Sequence, residues 1–242
     1  MKPIVRWTMT RTSSLGQKVF GESIRSFVKV YGDKFDLVVL LNNVEKIDVD
    51  FCGAKVVLQN PKDFLLGTPS TSYWKWCPPR FAIDRHEIAI DNDVIIHSSI
   101  PMIDEFLFGD KPMILEDAPV DGYGRYGHWF DGEQYSAAFI GMPPYFDMGK
   151  LLFNRWQKED VPTPYDEQGH AASCIKEFPH LVVPITDLPT IPKEWCGRVD
   201  WKGEYCRKHL TATTRGYHFC GSNRNETHLG YNFYKKRRFL ML

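Results

Sequence analysis

The chain has 242 residues, enough for one sizeable α/β domain with its own core. Its 30 lysines and arginines balance its 30 aspartates and glutamates, which argues against a nucleic-acid partner or a charged membrane surface. No apolar run reaches the roughly 18 to 20 residues of a transmembrane segment. The amino terminus also lacks a signal-peptide pattern, so the sequence predicts a cytoplasmic protein with reduced cysteines.

Strand and helix patterns alternate in the first third of the chain. The pattern predicts a strand over Ile4–Thr10, a helix over Leu15–Tyr31, and strands over Phe35–Leu41 and Ala54–Leu58. A polar loop over 60–72 and a mixed aromatic and basic segment over 73–83 come next. This alternation favours a parallel, doubly wound sheet, in which ligands bind beyond the carboxyl ends of the strands.

The rest of the chain continues the α/β pattern. From residue 87, the segment EIAIDNDVIIHSSI reads as an apolar strand that two aspartates interrupt. Periodicity then predicts helices over Ile100–Phe108, Phe146–Lys158 and Asp166–Phe178, strands over Ser136–Met142 and Leu181–Ile185, and a loop over Asp187–Trp201.

Two Asp-x-Asp pairs occur in the chain, in different contexts. Asp48 and Asp50 follow a polar stretch and read as a loop, whereas Asp91 and Asp93 stand between apolar runs. Carboxylates in a buried strand need a compensating partner. A divalent cation, Mn²⁺ or Mg²⁺, that bridges them to a diphosphate fits, because such ions favour carboxylate and phosphate oxygens. Solvated aspartates at an exposed strand end are the alternative.

The run AIDNDVII resembles the apolar, Asp-x-Asp, apolar signature of A-type glycosyltransferases, and the order of elements before it is similar to theirs. The resemblance implies an α/β fold with a Rossmann-like mixed, mainly parallel sheet flanked by helices. It implies one domain over 1–242, with a nucleotide-binding half over 1–110. The acceptor half, with a carboxyl-terminal metal-binding segment, would cover 111–242.

A second resemblance lies near the carboxyl end. The segment GYHFCGSNR resembles the His-x-x-Gly-x-x-Lys segment of the glycogenin-like and galactosyltransferase-like families. His218 and Gly221 match, and Arg224 stands where the lysine would be. The resemblance implies that His218 completes the metal shell of the aspartates and that Arg224 contacts the diphosphate, a role suited to its planar fork.

A structural zinc site is an alternative use of this histidine. Cys206, His209, His218 and Cys220 form a C-x₂-H-x₈-H-x-C arrangement of suitable ligand types. Structural zinc usually takes two well-separated pairs. The second pair here is spaced by one residue, which in a strand would direct both side chains to one face.

Acidic residues mark a candidate acceptor side. The segment YDEQG resembles the Asp-Gln segment that opens a helix beside the sugar in the same families, which implies that Asp166 or Glu167 orients the acceptor hydroxyl. In an inverting enzyme one of them would act as general base. The helix dipole alone also favours acidic residues at a helix start. Asp117 and Asp121, beside a glycine-rich aromatic loop, are a second candidate pair.

The donor nucleotide is expected at the end of the first strand. Thr8, Thr10 and Arg11 lie where a sheet of this kind holds the base and ribose. Lys75 and Arg80 precede the aspartate pair and are candidates to reach the diphosphate. Trp74 or Trp76, in the same segment, is a candidate to stack on a ring. The alternative is an ordinary role for each residue, as surface charge for the two cations and as core packing for the tryptophans.

The sequence therefore predicts a metal-dependent glycosyltransferase. Its partners would be a nucleotide diphosphate sugar, which we expect to be a UDP sugar, and a carbohydrate or other hydroxyl acceptor. A nucleotidyltransferase would carry a glycine-rich phosphate loop after the first strand, whereas TRTSSLGQKV has one glycine. A non-catalytic carbohydrate- or protein-binding module on the same fold is the remaining alternative.

Overall fold

The computed structural model describes residues 1–10, 14–42, 44, 47–63, 71–117, 123–130, 132–156, 166–190 and 212–219. The strands in these ranges are β1 (Ile4–Met9), β2 (Asp36–Asn42), β3 (Lys55–Gln59), β4 (Glu87–Ile90), β5 (Val94–Ile96), β6 (Met113–Glu116), β7 (Tyr135–Met142), β8 (Leu181–Val183) and β9 (Gly216–His218). The helices are α1 (Ser14–Tyr31), α2 (Pro101–Phe108), α3 (Met148–Arg155) and α4 (Asp166–Lys176). None of the helices in these ranges combines the length and the apolar character needed to cross a bilayer.

Seven strands form the central sheet, in the order β3-β2-β1-β4-β7-β6-β8. The pairs β3–β2, β2–β1, β1–β4 and β6–β8 are parallel, and β7 is antiparallel to both β4 and β6. All strands except β7 therefore run in one direction. The prediction of a mixed, mainly parallel sheet is confirmed. The carboxyl ends of β1, β2 and β4 meet at one edge.

Helix α1 covers one face of the sheet because its apolar residues recur at helical spacing. Phe20, Ile24 and Phe27 are fully buried in the main core. Trp7 of β1 packs edge-to-face on Phe27, with ring centroids 5.6 Å apart, and its indole N–H donates to Ser23 Oγ at 3.0 Å. This contact joins the first strand to the helix that follows it.

Helices α3 and α4 form a second apolar layer. Leu152 of α3 and Ala171 and Ile175 of α4 are buried in a cluster that also contains Ile140 of β7. The small residues of α4 allow a close approach to the 3₁₀ helix Gly124–Trp129. A Cβ at Gly169 would lie less than 3 Å from the Cβ of Tyr126. Helix α4 is thereby held against this 3₁₀ helix.

Two strands and some element ends differ from the sequence prediction. Strand β6 lies in a short apolar run, MILE, for which no strand was predicted, and the same is true of the segment that contains β9. The helix predicted over Phe146–Lys158 was too long, because Asp147 caps α3 and Trp156 is extended. The side chain of Asp147 accepts a hydrogen bond from Lys150 N at 2.9 Å.

Candidate metal and nucleotide site

Asp91 and Asp93 lie in the short turn between β4 and β5, at the carboxyl edge of the sheet. Asp91 N donates to Ala138 O of β7 at 2.8 Å, and Val94 N donates to Asp91 O at 3.3 Å. The side chain of Asp91 is 36% exposed and that of Asp93 is 7% exposed. The interruption in the apolar strand is therefore a turn that brings two carboxylates to one place.

A small two-stranded sheet brings His218 to this turn. Strand β9 pairs antiparallel with β5, with His218 opposite Val94, and Phe219 N donates to Asp93 O at 3.0 Å. A Cβ at Gly216 would lie 2.5 Å from Ile95 O, so only glycine permits this pairing distance. The predicted meeting of His218 with residues some 125 positions earlier is present.

The three side chains form a group that can hold a metal ion. One ligand atom from each of Asp91, Asp93 and His218 lies within 4.8 Å of the others. Burial lowers the pKa of His218, although the charge of Asp91 raises it, so a neutral imidazole with a lone pair is favoured. Carboxylate oxygens and an imidazole nitrogen suit Mn²⁺, and three protein ligands leave positions for phosphate oxygens or water.

Lys75 places a positive charge beside this group. The residue belongs to the 3₁₀ helix Thr71–Trp76, which lies across the ends of β1 and β2. Its Nζ is 2.6 Å from Asp91 Oδ1 and also donates to the carbonyl of Ala137. Of Lys75 and Arg80, the two cations of this segment that were expected to reach the diphosphate, Lys75 is thus the one that lies at the aspartates.

Glu167 lies at the start of α4 and is hydrogen-bonded by an indole. Trp76 Nε1 donates to Glu167 Oε1 at 2.6 Å, and Trp76 itself is fully buried. Burial raises the pKa of Glu167 to about 7, with Lys75 lowering it and Asp91 raising it. A carboxyl group that can gain or lose a proton near neutral pH therefore lies close to the lysine and aspartate.

Asp166 has a different environment. It is 1% exposed, and its carboxylate lies where a Cβ of Gly124 would be. The residue packs against the 3₁₀ helix that begins at Gly124. Its position fits a role in holding the start of α4.

Asp117 and Gln168 form a polar network beside the group. Gln168 Nε2 donates to Asp117 Oδ2 at 3.1 Å, and Ser136 Oγ donates to Gln168 Oε1 at 3.3 Å. Asp117 is 6% exposed. Burial lowers the pKa of His218 and the charge of Asp117 opposes this shift, so Asp117 lies near His218. The acceptor-side prediction included Asp117 but not Gln168.

Arg80 is far from the aspartates along β4. Its guanidinium pairs with Glu87, at the opposite end of that strand, with Nε 3.4 Å from Oε2. It also donates to the carbonyls of Pro143, Phe146, Ala82 and Arg85. The structure does not bring Arg80 to the site, because a buried carboxylate and four carbonyls hold it elsewhere.

The same buried carboxylate anchors the segment that carries Lys75. Arg6 Nε lies 2.8 Å from Glu87 Oε1, and both side chains are almost completely buried. The Arg6 guanidinium also donates to the carbonyls of Lys75, Pro78 and Pro79. The ion pair thus fixes the 3₁₀ helix Thr71–Trp76 against β1 and β4.

Thr8 and Thr10 lie at the carboxyl end of β1, as predicted, and both are half-buried. Thr8 Oγ1 donates to Lys75 O at 3.5 Å. Arg11, Asp121, Arg224 and the possible zinc ligands Cys206, His209 and Cys220 lie outside the described residues. The zinc alternative therefore stays a prediction, while His218 itself lies beside the aspartates.

Sequence reasoning missed Asn42 and Thr190 as well as Gln168. Asn42 ends β2 and its Nδ2 donates to Trp74 O at 2.7 Å. A polar residue that closes a buried apolar strand is a signal that could have identified it. Thr190 lies 3.3 Å from His218 Nδ1, in a proline-rich stretch without any periodicity to mark it.

Comparisons with known proteins support the fold. No protein-family model matches the sequence, and a search of curated proteins found no similar one. The galactosyltransferase LgtC, in complex with donor and acceptor sugar analogs, matches with a TM-score of 0.57 and 12% identity over 94% of each chain. Mouse xyloside xylosyltransferase 1 in its apo form matches with a TM-score of 0.55 and 14% identity, over 93% of this chain and 99% of that chain.

The glycosyltransferase GlyE of Streptococcus pneumoniae TIGR4 matches with a TM-score of 0.57 and 11% identity, over 98% of this chain and 64% of that chain. Identities this low establish the fold and leave the activity to the chemistry of the site. The order of strands, the antiparallel β7 and these matches lead to one conclusion: the chain has the A-type glycosyltransferase fold.

Proposed function

We propose that this protein is a metal-dependent glycosyltransferase that moves a sugar from a nucleotide diphosphate sugar, of the UDP type, to a hydroxyl acceptor. The observation that carries the proposal is the convergence of Asp91, Asp93 and His218 at the carboxyl edge of the sheet. Ligands of open α/β sheets bind at this edge. The acceptor would be a carbohydrate or another molecule with a reactive hydroxyl group.

Asp91, Asp93 and His218 would hold Mn²⁺, or Mg²⁺, against the diphosphate. The ion would supply Lewis-acid stabilisation of the departing nucleoside diphosphate. Lys75, 2.6 Å from Asp91, adds a second positive charge for the phosphates. Thr8 and Thr10 would bind the base and ribose. Arg11 would also bind the base and ribose, and Arg224 would contact the diphosphate from the carboxyl-terminal segment.

Glu167 is better placed than Asp166 to act on the acceptor hydroxyl. Its pKa of about 7 allows it to be ionised in part at neutral pH, as a general base requires. Asp166, in contrast, packs against the backbone at Gly124. If the enzyme inverts configuration, Glu167 would take the proton of the attacking hydroxyl. A retaining reaction would not need a strong base.

A thermal-shift measurement tests the donor site. The melting temperature is measured with Mn²⁺ plus UDP, GDP or CMP, for the wild type, Asp93→Asn and the control Asp48→Asn. Asp48 belongs to the other Asp-x-Asp pair and is exposed. We expect one nucleotide, UDP, to stabilise the wild type and Asp48→Asn only when Mn²⁺ is present, and not to stabilise Asp93→Asn. No shift with any nucleotide would contradict the donor site.

Hydrolysis of the donor separates an enzyme from a binding module on the same fold. UDP sugars are incubated with Mn²⁺ and the wild type, and the released UDP is measured. We expect the wild type to release UDP slowly, because water replaces the acceptor. Asp93→Asn should abolish this release, because it removes a proposed metal ligand. Stabilisation by UDP without any release, even with a panel of acceptors, would favour the non-catalytic carbohydrate-binding alternative.

A further inference from the structure

The two ring nitrogens of His218 have different neighbours. Nε2 lies 3.6 Å from Asp93 Oδ1, whereas Nδ1 lies 3.3 Å from Thr190 Oγ1. His218 is 4% exposed and Thr190 is 2% exposed, so water has little access to either. The carboxylate and the hydroxyl therefore lie at different nitrogens of one buried ring.

The backbone holds Thr190 beside the ring. Thr190 forms an isolated parallel β-bridge with His218, and His218 N donates to Pro189 O at 3.0 Å. On its other side, His218 pairs with Val94 of β5. Because both neighbouring segments are bound to the same strand, the threonine hydroxyl is fixed opposite Nδ1.

We infer that Thr190 is a positioning residue of the metal centre: its Oγ1 accepts the Nδ1–H of His218 and so directs the Nε2 lone pair to the metal. The inference rests on the proposed metal site. A neutral imidazole carries one N–H, and only the other nitrogen can bind a metal. A hydrogen-bond acceptor at that N–H fixes the ring and increases the basicity of the ligand nitrogen.

Calorimetric titration with Mn²⁺ tests this role on the wild type, Thr190→Val and Thr190→Ser. Valine has the shape of threonine without the hydroxyl, and serine restores the hydroxyl. We expect Thr190→Val to weaken Mn²⁺ binding by about 10- to 100-fold and Thr190→Ser to stay near the wild type. The matched control is Thr214→Val, since the hydroxyl of Thr214 donates to Thr186 O at 3.1 Å and the residue is also buried.

Unchanged Mn²⁺ affinity in a folded Thr190→Val protein would overturn the role of Thr190 and leave the metal site intact. If the wild type bound no Mn²⁺, both the proposed metal site and the role of Thr190 would be overturned. The wild-type titration therefore distinguishes failure of the metal site from failure of the Thr190 role alone. Nitrogen-15 spectra of the wild type with Mg²⁺ test the same inference without a substitution at Thr190. We expect His218, assigned by its loss in His218→Ala, to carry its proton on Nδ1. A proton on Nε2 would contradict the inference.

Discussion

Lys75 and Asp91 form a close ion pair at the carboxyl edge of the sheet, with Nζ 2.6 Å from Oδ1. The pair joins the 3₁₀ helix Thr71–Trp76 to the turn between β4 and β5. A divalent ion at the proposed site would compete with Lys75 for the same carboxylate, because the two positive charges repel. Both charges would attract a diphosphate.

Lys75→Met should therefore change metal and nucleotide binding in opposite directions. We expect Mn²⁺ alone to bind severalfold more tightly, since a repelling charge is removed. UDP, titrated at saturating Mn²⁺, should bind about 10-fold more weakly, because a charge-assisted hydrogen bond is lost. Calorimetry measures both affinities. Lys55→Met is the control, since that exposed lysine lies over Phe81 at the outer strand β3. A loss of both affinities in Lys75→Met would contradict this account.

Glu167→Gln should stabilise the metal-free protein in a pH-dependent way. In the unfolded chain Glu167 loses its proton near 4.5, whereas in the folded protein its pKa is about 7. The folded state binds more protons between these values, so wild-type stability decreases as pH rises from about 4.5 to 7. The difference in the free energy of unfolding between Glu167→Gln and the wild type should therefore grow in favour of the variant from pH 4 to pH 8, by up to about 3 kcal/mol.

Urea denaturation in EDTA at pH 4, 6 and 8 measures this difference. Glu133→Gln is the control, because that carboxylate is half exposed in its pair with Lys176. The raised pKa of Glu167 would be wrong if the difference between Glu167→Gln and the wild type were the same at all three pH values.

Glu87→Gln should destabilise the fold strongly. Glu87 is fully buried between Arg6 and Arg80, so its neutralisation leaves two buried cations without a charge partner. Breaking a buried pair in this way costs about 3 to 5 kcal/mol. Urea denaturation measures the loss. Asp36→Asn, in the exposed pair with Arg85, should cost less than about 1 kcal/mol, and an equal loss in both variants would contradict the argument.

Gly216→Ala should weaken metal binding through the backbone. The added Cβ would lie 2.5 Å from Ile95 O and 2.8 Å from Leu188 Cδ1, so β9 must move away from β5 and carry His218 with it. We expect at least a 10-fold weaker Mn²⁺ affinity, since one of the three proposed ligands is displaced. Gly127→Ala, where a Cβ would meet nothing within 4 Å, should bind Mn²⁺ as the wild type does. Equal affinities in the two variants would show that β9 does not set the ligand position.

The strand and helix order could be predicted because it depends on local periodicity. Buried parallel strands such as β1 and β2 are continuous apolar runs, and α1 repeats its apolar residues at helical spacing. Strand β9 could not be identified in this way. It has three residues, and its pairing with β5 is set by glycine at position 216 and by contacts distant in sequence.

The site was predictable where its residues interrupt a pattern. Asp91 and Asp93 are conspicuous because they break an apolar run, and His218 because its segment resembles a known one. Arg80 and Lys75 could not be told apart, since both are cations in one basic segment. The buried Glu87, which holds Arg80 at the other end of β4, separates them only in three dimensions.

The central claim is that Asp91, Asp93 and His218 share one divalent cation at the donor diphosphate. Anomalous diffraction from crystals soaked with Mn²⁺ and UDP tests it most directly. We expect one manganese peak within direct coordination distance of a carboxylate oxygen of Asp93 and a ring nitrogen of His218, with Asp91 and the diphosphate completing the shell. Bound UDP without manganese at these residues, or manganese bound elsewhere, would contradict the claim.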